Sequence, residues 1–144
     1  MSKKIAPEIF ALCNYAEFTA NGKFNIIGVY DQFRIDTSKG VWPRGFIVFT
    51  IRTTLTNSIK KIRLQIINKS KTSILDVILD VKIGNNGKAN FLFEFSNLKV
   101  VEYGGYNIRL TDSDDESLVG ETEVTLLPVN EGEQNGPGSS KLPN

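Results

Sequence analysis

Hydrophobic and polar residues alternate along most of this chain, and helical spacing is rare. Ile47, Phe49 and Ile51 fall on one side of an extended segment whose other side carries Thr50 and Arg52. A period of two residues places successive side chains on opposite faces of a strand. Later segments repeat the pattern with apolar positions at Ile62, Leu64, Ile66, Leu75, Val77, Leu79, Val81, Ile83, Phe91, Phe93 and Phe95. The pattern predicts an all-β protein of eight or nine strands with these residues in its core.

Turn signals separate the predicted strands. Asn21-Gly22 and Asn86-Gly87 are each typical of a type I′ hairpin turn, which needs two residues that tolerate positive φ. The segment 24–36 is predicted as extended, with Ile27 and Val29 in the core. Short strands with frequent turns favour a sandwich or a barrel.

A motif late in the chain favours the sandwich. Glu102 is followed by Gly104 two residues later and by Tyr106 two residues after that, at the start of an alternating strand. This spacing matches the tyrosine corner of immunoglobulin-like domains, in which the hydroxyl hydrogen-bonds to backbone a few residues upstream. We therefore predict structural roles for Gly104 and Tyr106, and a single antiparallel β-sandwich of the immunoglobulin-like or C2-like kind.

The chain contains no histidine and only one cysteine. Mechanisms that need a Ser-His or Cys-His pair or a histidine-bound metal are therefore excluded within this chain. Cys13 cannot form an internal disulfide, and its apolar neighbours predict a buried thiol. No glycine-rich loop opens a predicted helix, which argues against P-loop chemistry. We predict a non-enzymatic protein without a cofactor.

The two ends of the chain differ from the alternating middle. The first residues include two lysines without a long apolar stretch, so we expect no signal peptide, no membrane segment and a cytoplasmic protein. From Pro128 the sequence becomes polar and rich in glycine, proline and serine. We predict a β-sandwich domain at 1–127 and a flexible tail at 128–144.

The net charge of +1 conceals two blocks of opposite sign. Residues 37–75 contain eight basic residues and no acidic one, whereas residues 76–144 contain five basic and twelve acidic residues. Three arrangements are open. Basic and acidic strands lie side by side and cancel, or they form separate surfaces that favour self-association or an acidic protein partner, or a basic face binds an anion.

The third arrangement has specific candidates. Arg52, Lys61 and Arg63 share outward parity on consecutive predicted strands, and Arg44 lies before them. This set predicts, as an alternative function, capture of a small anionic ligand such as a nucleotide. Nucleic acid is a poor fit, because most aromatic residues have core parity and few are left for base stacking.

Four carboxylates lie between two predicted strands in the segment 111–117. Asp112, Asp114 and Glu116 follow the spacing of oxygen ligands in a calcium loop, but Ser117 stands where an EF-hand has its turn glycine. Calcium binding is therefore one hypothesis for this segment. A solvated turn without a ligand is the alternative.

The most specific string lies between residues 11 and 31. It comprises Ala11-Leu12-Cys13-Asn14-Tyr15-Ala16-Glu17, then Asn21-Gly22-Lys23-Phe24-Asn25-Ile26-Ile27-Gly28, then Tyr30-Asp31. The string resembles a family of small uncharacterised bacterial and phage proteins with a Cys-Asp-x-Ala stretch, a Gly-Lys turn, an Asn-Ile-Ile-Gly strand and an aromatic-Asp pair. Asn14 stands where that pattern has Asp. The resemblance implies an immunoglobulin-like or C2-like sandwich without an established activity.

Asp31 has the same parity as the apolar residues of its predicted strand. A carboxylate on an apolar face must be paired or hydrogen-bonded, so we predict that it satisfies backbone groups, with ligand binding as the alternative.

From all these observations we predict a binding or assembly module of a bacterium or mobile element. Its partner is another protein or a second copy of itself, and capture of a small anion is the alternative.

Overall fold

The computed structural model describes residues 5–21 and 23–129, and these ranges contain strands and turns but no helix. Nine strands are described: β1 (Ile5–Phe18), β2 (Phe24–Val29), β3 (Gln32–Asp36), β4 (Val41–Thr53), β5 (Ser58–Asn68), β6 (Ser73–Ile83), β7 (Lys88–Lys99), β8 (Gly104–Asp112) and β9 (Leu118–Val129). They form a four-stranded sheet in the order β2-β1-β4-β7 and a five-stranded sheet in the order β3-β9-β8-β5-β6. The all-β prediction is confirmed. None of the described residues belongs to a helix that could span a lipid bilayer.

One hydrophobic core draws on both sheets. Ile47, Phe49 and Ile51 of β4 are fully buried in it, as are Ile62 and Leu64 of β5. Alternation therefore assigned the inward residues of these two strands correctly. Burial of each such side chain stabilises the folded chain by about 1.5 to 3 kcal/mol before the entropy cost of ordering.

The extended segment predicted at 24–36 is two strands in different sheets. β2 pairs antiparallel with β1, whereas β3 pairs parallel with β9, so the pairing is not purely antiparallel. Gly28 has φ of 71°, a conformation that disfavours other residues, and its backbone lies against the side chain of Asn14. Tyr30 and Asp31 then lead the chain to the other sheet.

The structure gives different outcomes for the two predicted hairpins. At the first, β1 and β2 pair antiparallel on either side of the connection, of which Gly22 lies outside the described residues. The turn at Asn86-Gly87 joins β6 to β7, which belong to different sheets, so the hairpin prediction is wrong there. Gly87 has positive φ, as the turn signal required, but its carbonyl accepts a hydrogen bond from the Thr53 amide of β4 at 2.8 Å. A positive-φ turn signal thus locates a turn without specifying which strands pair.

Tyr106 lies in the core with its hydroxyl at the start of β8. The hydroxyl donates to the Glu102 carbonyl at 2.6 Å and accepts from the Glu102 amide at 3.3 Å. Gly104, between the two residues, has φ of 118°. These are the contacts that the tyrosine-corner prediction describes.

Replacing Tyr106 with phenylalanine is expected to lower the free energy of unfolding by about 1 kcal/mol, because the hydroxyl bonds are lost while the ring stays packed. Urea denaturation followed by circular dichroism measures the change. Tyr103→Phe is the matched control, since the Tyr103 side chain is 41% exposed and should tolerate loss of its hydroxyl. Equal stability of Tyr106→Phe and the wild type would contradict the structural role.

The predicted domain boundary falls inside the last strand. β9 continues to Val129, where it pairs with Asp36 of β3. The remainder of the predicted flexible tail, residues 130–144, lies outside the described residues.

Candidate interaction surface

The four predicted anion-binding residues are divided between the two sheets. Arg44 and Arg52 lie on β4 of the four-stranded sheet, whereas Lys61 and Arg63 lie on β5 of the five-stranded sheet. The prediction of one shared basic face is therefore wrong. The loop at 54–57 carries the chain from one sheet to the other, so matching parity on β4 and β5 refers to two different surfaces.

Each of these four side chains has a carboxylate partner. The N–O distances are 2.6 Å for Arg44–Glu94, 2.7 Å for Arg52–Glu8, 2.7 Å for Lys61–Asp80 and 2.6 Å for Arg63–Asp76. All four pairs are partly exposed, so solvent screens them and they contribute little to stability. They nevertheless neutralise the positive charge locally, which weakens the attraction for a free anion.

Neighbouring strands of opposite charge account for most of the basic block at 37–75. Six of its eight basic residues lie within 4 Å of a carboxylate oxygen: Arg44, Arg52, Lys60, Lys61, Arg63 and Lys69. Lys61 and Asp80, for example, are directly opposed on β5 and β6. Five of these six residues pair with the acidic block at 76–144 and Arg52 pairs with Glu8 of β1, so most of the basic block is cancelled, as in the first of the three arrangements considered from the sequence.

A depression of about 660 Å³ on the five-stranded sheet is lined by Arg63 and Arg109. Arg63 donates two hydrogen bonds to Asp76, and Arg109 Nε lies 3.4 Å from Glu121 Oε2 in an ion pair without hydrogen-bond geometry. Asp76 and Glu116 line the same depression. Because carboxylates share this space with the arginines, the depression suits a phosphate or carboxylate ligand poorly.

The acidic segment is organised around a lysine. Lys60 Nζ lies 2.9 Å from Asp112 Oδ1 and 2.7 Å from Asp114 Oδ2, and the side chains of Lys60 and Asp112 are each 3% exposed. Glu116 adopts a positive φ of 61° in the turn. Within the described ranges no three acidic or cysteine side chains converge as a metal site requires. This geometry does not support the calcium hypothesis for Asp112, Asp114 and Glu116, because an ammonium group already lies between two of the three carboxylates.

Asp31 is exposed in the connection between β2 and β3. Its backbone carbonyl accepts a hydrogen bond from the Thr125 amide of β9 at 2.9 Å. The expectation that its parity turns it toward the core is wrong, because the strand breaks at Tyr30 and parity does not continue across the break.

Hydrogen bonds hold the pKa of several carboxyl groups below their ordinary range; the groups are Glu8, Asp36, Asp76 and Asp115. Their principal donors are the side chains of Arg52, Ser38, Arg63 and Ser117, in that order. A folded pKa below the unfolded one gives stability that is present above the unfolded value and lost as pH falls.

We therefore expect a urea midpoint that declines below about pH 4.5. Because the chain has no histidine, the midpoint should stay nearly constant between about pH 6 and 8. A midpoint that changes steadily across that neutral interval would contradict this expectation.

The four-stranded sheet also carries apolar side chains on the face opposite to the shared core, and several of them belong to a second buried cluster, which further includes Ala16, Phe24 and Ile26. Phe46 and Val48 alternate with the core residues Ile47 and Phe49 along β4, and both are buried. The registers of β2, β1, β4 and β7 place further apolar side chains beside them, since directly paired residues share a face. The whole set, termed the apolar face, is Ile9, Ala11, Cys13, Tyr15, Ile27, Val29, Phe46, Val48 and Leu92.

Cys13 lies within the apolar face and is fully buried, as predicted. Its thiol is 3.7 Å from the Phe46 carbonyl, and burial raises the pKa of the thiol above its ordinary value. A thiol that resists deprotonation is a weak nucleophile. Cys13 therefore acts as a small apolar side chain.

The apolar face is most accessible along β1 and β2. Ile27 and Val29 are 60% and 66% exposed, and Ile9 and Tyr15 are 42% and 39% exposed. The prediction that Ile27 and Val29 enter the core is wrong. They pair with Tyr15 and Cys13 and so lie on the apolar face, where both are exposed.

Polar groups border the apolar face. The Arg44 guanidinium lies 5.0 Å from the centre of the Phe46 ring and pairs with Glu94. The Tyr15 hydroxyl donates to Glu17 at 3.0 Å. A contiguous exposed apolar surface with a polar border is typical of an interaction site.

β2 adds an open backbone edge to the apolar face. It is a terminal strand of the four-stranded sheet, and its six residues, Phe24–Val29, include no charged residue and no proline. The other edge strands among the described residues, β3, β6 and β7, all carry charged side chains. Charges and prolines on edge strands discourage pairing with other chains, and β2 lacks this protection.

Comparison with known proteins supports the family resemblance. A model described as a family of unknown function (DUF6941) matches residues 8–125. The chain therefore belongs to this family, which confirms the prediction of an uncharacterised domain. No curated protein matches the chain.

The solved structures that match the chain have low sequence identity to it. An immunoglobulin-like protein from Pseudomonas aeruginosa is 8% identical with a TM-score of 0.44, and the alignment covers 88% of this chain and 97% of that protein. The alkylpurine DNA glycosylase AlkC from Pseudomonas fluorescens is 11% identical with a TM-score of 0.47, and the alignment covers 87% of this chain and 30% of the enzyme. A β-glucuronidase from Bifidobacterium dentium is 12% identical with a TM-score of 0.40, with coverage of 85% and 17%. The chain thus spans less than a third of either enzyme.

Proposed function

We propose that this chain is a non-enzymatic protein-interaction module whose binding surface is the apolar face together with the edge of β2. The observation that carries the proposal is the exposure of Ile27 and Val29, 60% and 66%, beside an unprotected backbone edge. Apolar surface costs free energy in water and is seldom left contiguous unless a partner covers it. An added strand can satisfy the open backbone groups at the same time.

The opposite surface of the molecule supports this choice. On the five-stranded sheet, Lys61 and Arg63 are paired with Asp80 and Asp76, so that surface is polar and solvated. Ile78 is 57% exposed there but stands among charged neighbours. The contrast between the two sheets makes the four-stranded sheet the better docking surface.

We also propose that the two sheets form one immunoglobulin-like β-sandwich with nine strands. The shared core supports this arrangement, since Ile47 of one sheet and Ile62 of the other belong to the same buried cluster. In this arrangement the apolar face is one of the two outer surfaces, and the edge of β2 is available to a partner.

The alternatives have weaker support. Capture of an anion would need a shared basic face, but Arg52 and Lys61 lie on different sheets and both are ion-paired. Catalysis would have to proceed without histidine. The buried carboxylate of Asp112 is engaged with Lys60, and its side chain is 3% exposed, so little of it is accessible to a substrate.

Photo-cross-linking tests the proposal. A benzoylphenylalanine placed at position 27 of the full chain in its native host should form a covalent adduct with a protein on irradiation. The matched control carries the same group at position 78, which is similarly exposed on the five-stranded sheet, and should form no adduct. Absence of an adduct at 27, or equal yields at both positions, would refute the proposal.

A further inference from the structure

The residues that flank β2 carry opposite charges. Lys23 precedes the strand and Asp31 follows it by one residue beyond Tyr30, and both are exposed. Within the described ranges neither side chain takes part in an ion pair. Between them the strand is uncharged. β2 is therefore a neutral segment with a positive and a negative end.

This arrangement is self-complementary in the antiparallel sense. If β2 is laid beside a second β2 so that Ile27 faces its own symmetry mate, each residue faces the residue equally far on the other side of the centre. Lys23 lies four residues before Ile27, and Asp31 lies four residues after it. Asp31 lies just beyond the end of the strand, so Lys23 of each copy lies at the end of the paired segment where the connection that carries Asp31 of the other copy begins, and the two-fold axis brings two such oppositely charged pairs close together.

We propose that β2 pairs antiparallel with β2 of a second copy of this chain, centred on Ile27, so that two four-stranded sheets become one continuous sheet across a dimer. The inference rests on the proposed function and names its partner. Asn25 would face Val29 of the second copy, and the exposed Ile27 side chains of both copies would lie together on the joined apolar face. The backbone edge and the apolar surface are then covered by the same contact.

The edges of the other strands explain why β2 is the strand that pairs. β6 carries Asp76, Asp80 and Lys82, and β3 carries Arg34 and Asp36, so pairing along either edge would bring further charges into the contact. A partner other than a second copy would need its own charges to match Lys23 and Asp31 in this order. A second copy supplies that match by symmetry.

Charge reversal tests the inference on the full chain. Sedimentation equilibrium should show a dimer for the wild type, weakened by salt. Lys23→Asp and Asp31→Lys each place like charges opposite one another twice per dimer, and each should weaken the dimer at least about tenfold.

Mixing the two variants provides the rescue. An equimolar mixture should restore association as a heterodimer, because the aspartate introduced at position 23 of one chain then faces the lysine introduced at position 31 of the other. The second pair of the heterodimer consists of the two unchanged residues, which also have opposite charges. Lys39→Asp, in the turn before β4, is the control and should dimerise like the wild type.

Three outcomes would overturn the inference: a wild type that stays monomeric up to about 100 µM, single variants that dimerise like the wild type, or a mixture that stays monomeric. Circular dichroism of each variant checks that it is folded. If the wild type is monomeric while position 27 cross-links to a different protein, the inference fails and the proposed function stands. If position 27 forms no adduct with any protein, both fail.

Discussion

Replacing Lys60 with methionine is expected to lower the free energy of unfolding by about 3 to 5 kcal/mol, because it leaves a buried carboxylate without its counter-charge. The side chains of Lys60 and Asp112 are each 3% exposed, and their charged atoms are 2.9 Å apart. Methionine fills the volume of the lysine stem but supplies no hydrogen-bond donor. Urea denaturation monitored by the fluorescence of Trp42, the one tryptophan of the chain, measures the loss.

Two further variants distinguish the effect of an unpaired buried charge on stability from the effect of the changed side chain itself. Lys60→Met combined with Asp112→Asn should recover most of the loss, since no buried charge then remains unpaired. Lys61→Met removes the adjacent lysine, whose side chain is 59% exposed, and should change stability little. Equal effects of Lys60→Met and Lys61→Met would contradict the importance of the buried pair.

The same lysine gives a pH dependence. Burial alone lowers the pKa of Lys60, but the hydrogen bonds and charges of Asp114 and Asp112 outweigh it and hold the pKa above the ordinary value of 10.5. A folded pKa above the unfolded one gives stability that is complete below the unfolded value and lost as pH rises through the folded one. The wild type should therefore lose more stability above about pH 10.5 than Lys60→Met does.

Replacing Trp42 with alanine is expected to lower the free energy of unfolding by about 3 to 5 kcal/mol, because a buried ring is lost. Trp42 is fully buried, its ring centre lies 4.7 Å from that of Phe95, and its Nε1 donates to the Tyr30 hydroxyl at 3.3 Å. It also contacts Phe33 of the other sheet, with 6.1 Å between ring centres. Differential scanning calorimetry measures the effect without relying on tryptophan fluorescence.

The Trp42→Phe variant refines this prediction. Phenylalanine keeps most of the ring contacts and loses the donor to Tyr30, so it should cost about 1 to 2 kcal/mol. Because Tyr30 follows β2, the alanine variant should also weaken any contact made by that edge. An alanine variant no less stable than the phenylalanine variant would contradict the role of ring packing.

Alternation predicted the strands well, because apolar residues recur every two positions along a strand that has one buried face. It could not predict which sheet a strand joins. Tyr30 and Asp31 interrupt an otherwise continuous extended segment, and the pairing of β2 with β1 and of β3 with β9 shows that the chain changes sheet there. Arg52 and Lys61 were predicted to share a face because alternation does not show that β4 and β5 belong to different sheets.

The apolar face could not be predicted from alternation, which assumes that each strand has one buried apolar face and one exposed polar face. A signal was present in β4, where Phe46, Ile47, Val48 and Phe49 follow one another without a polar residue. Such a continuous run is typical of a strand buried on both faces. Ile27 and Val29 gave no such signal, since exposed and buried apolar residues on a strand have the same pattern.

Hydrogen–deuterium exchange of the purified full chain tests the central claim most directly. If β2 is covered by a second copy, the β2 amides that point away from β1 should exchange more slowly at about 100 µM than at about 1 µM protein, because dimerisation adds hydrogen bonds to that edge. The amides of β6, an edge strand of the other sheet, should exchange equally at both concentrations. Exchange of β2 that is as independent of concentration as that of β6 would contradict the account.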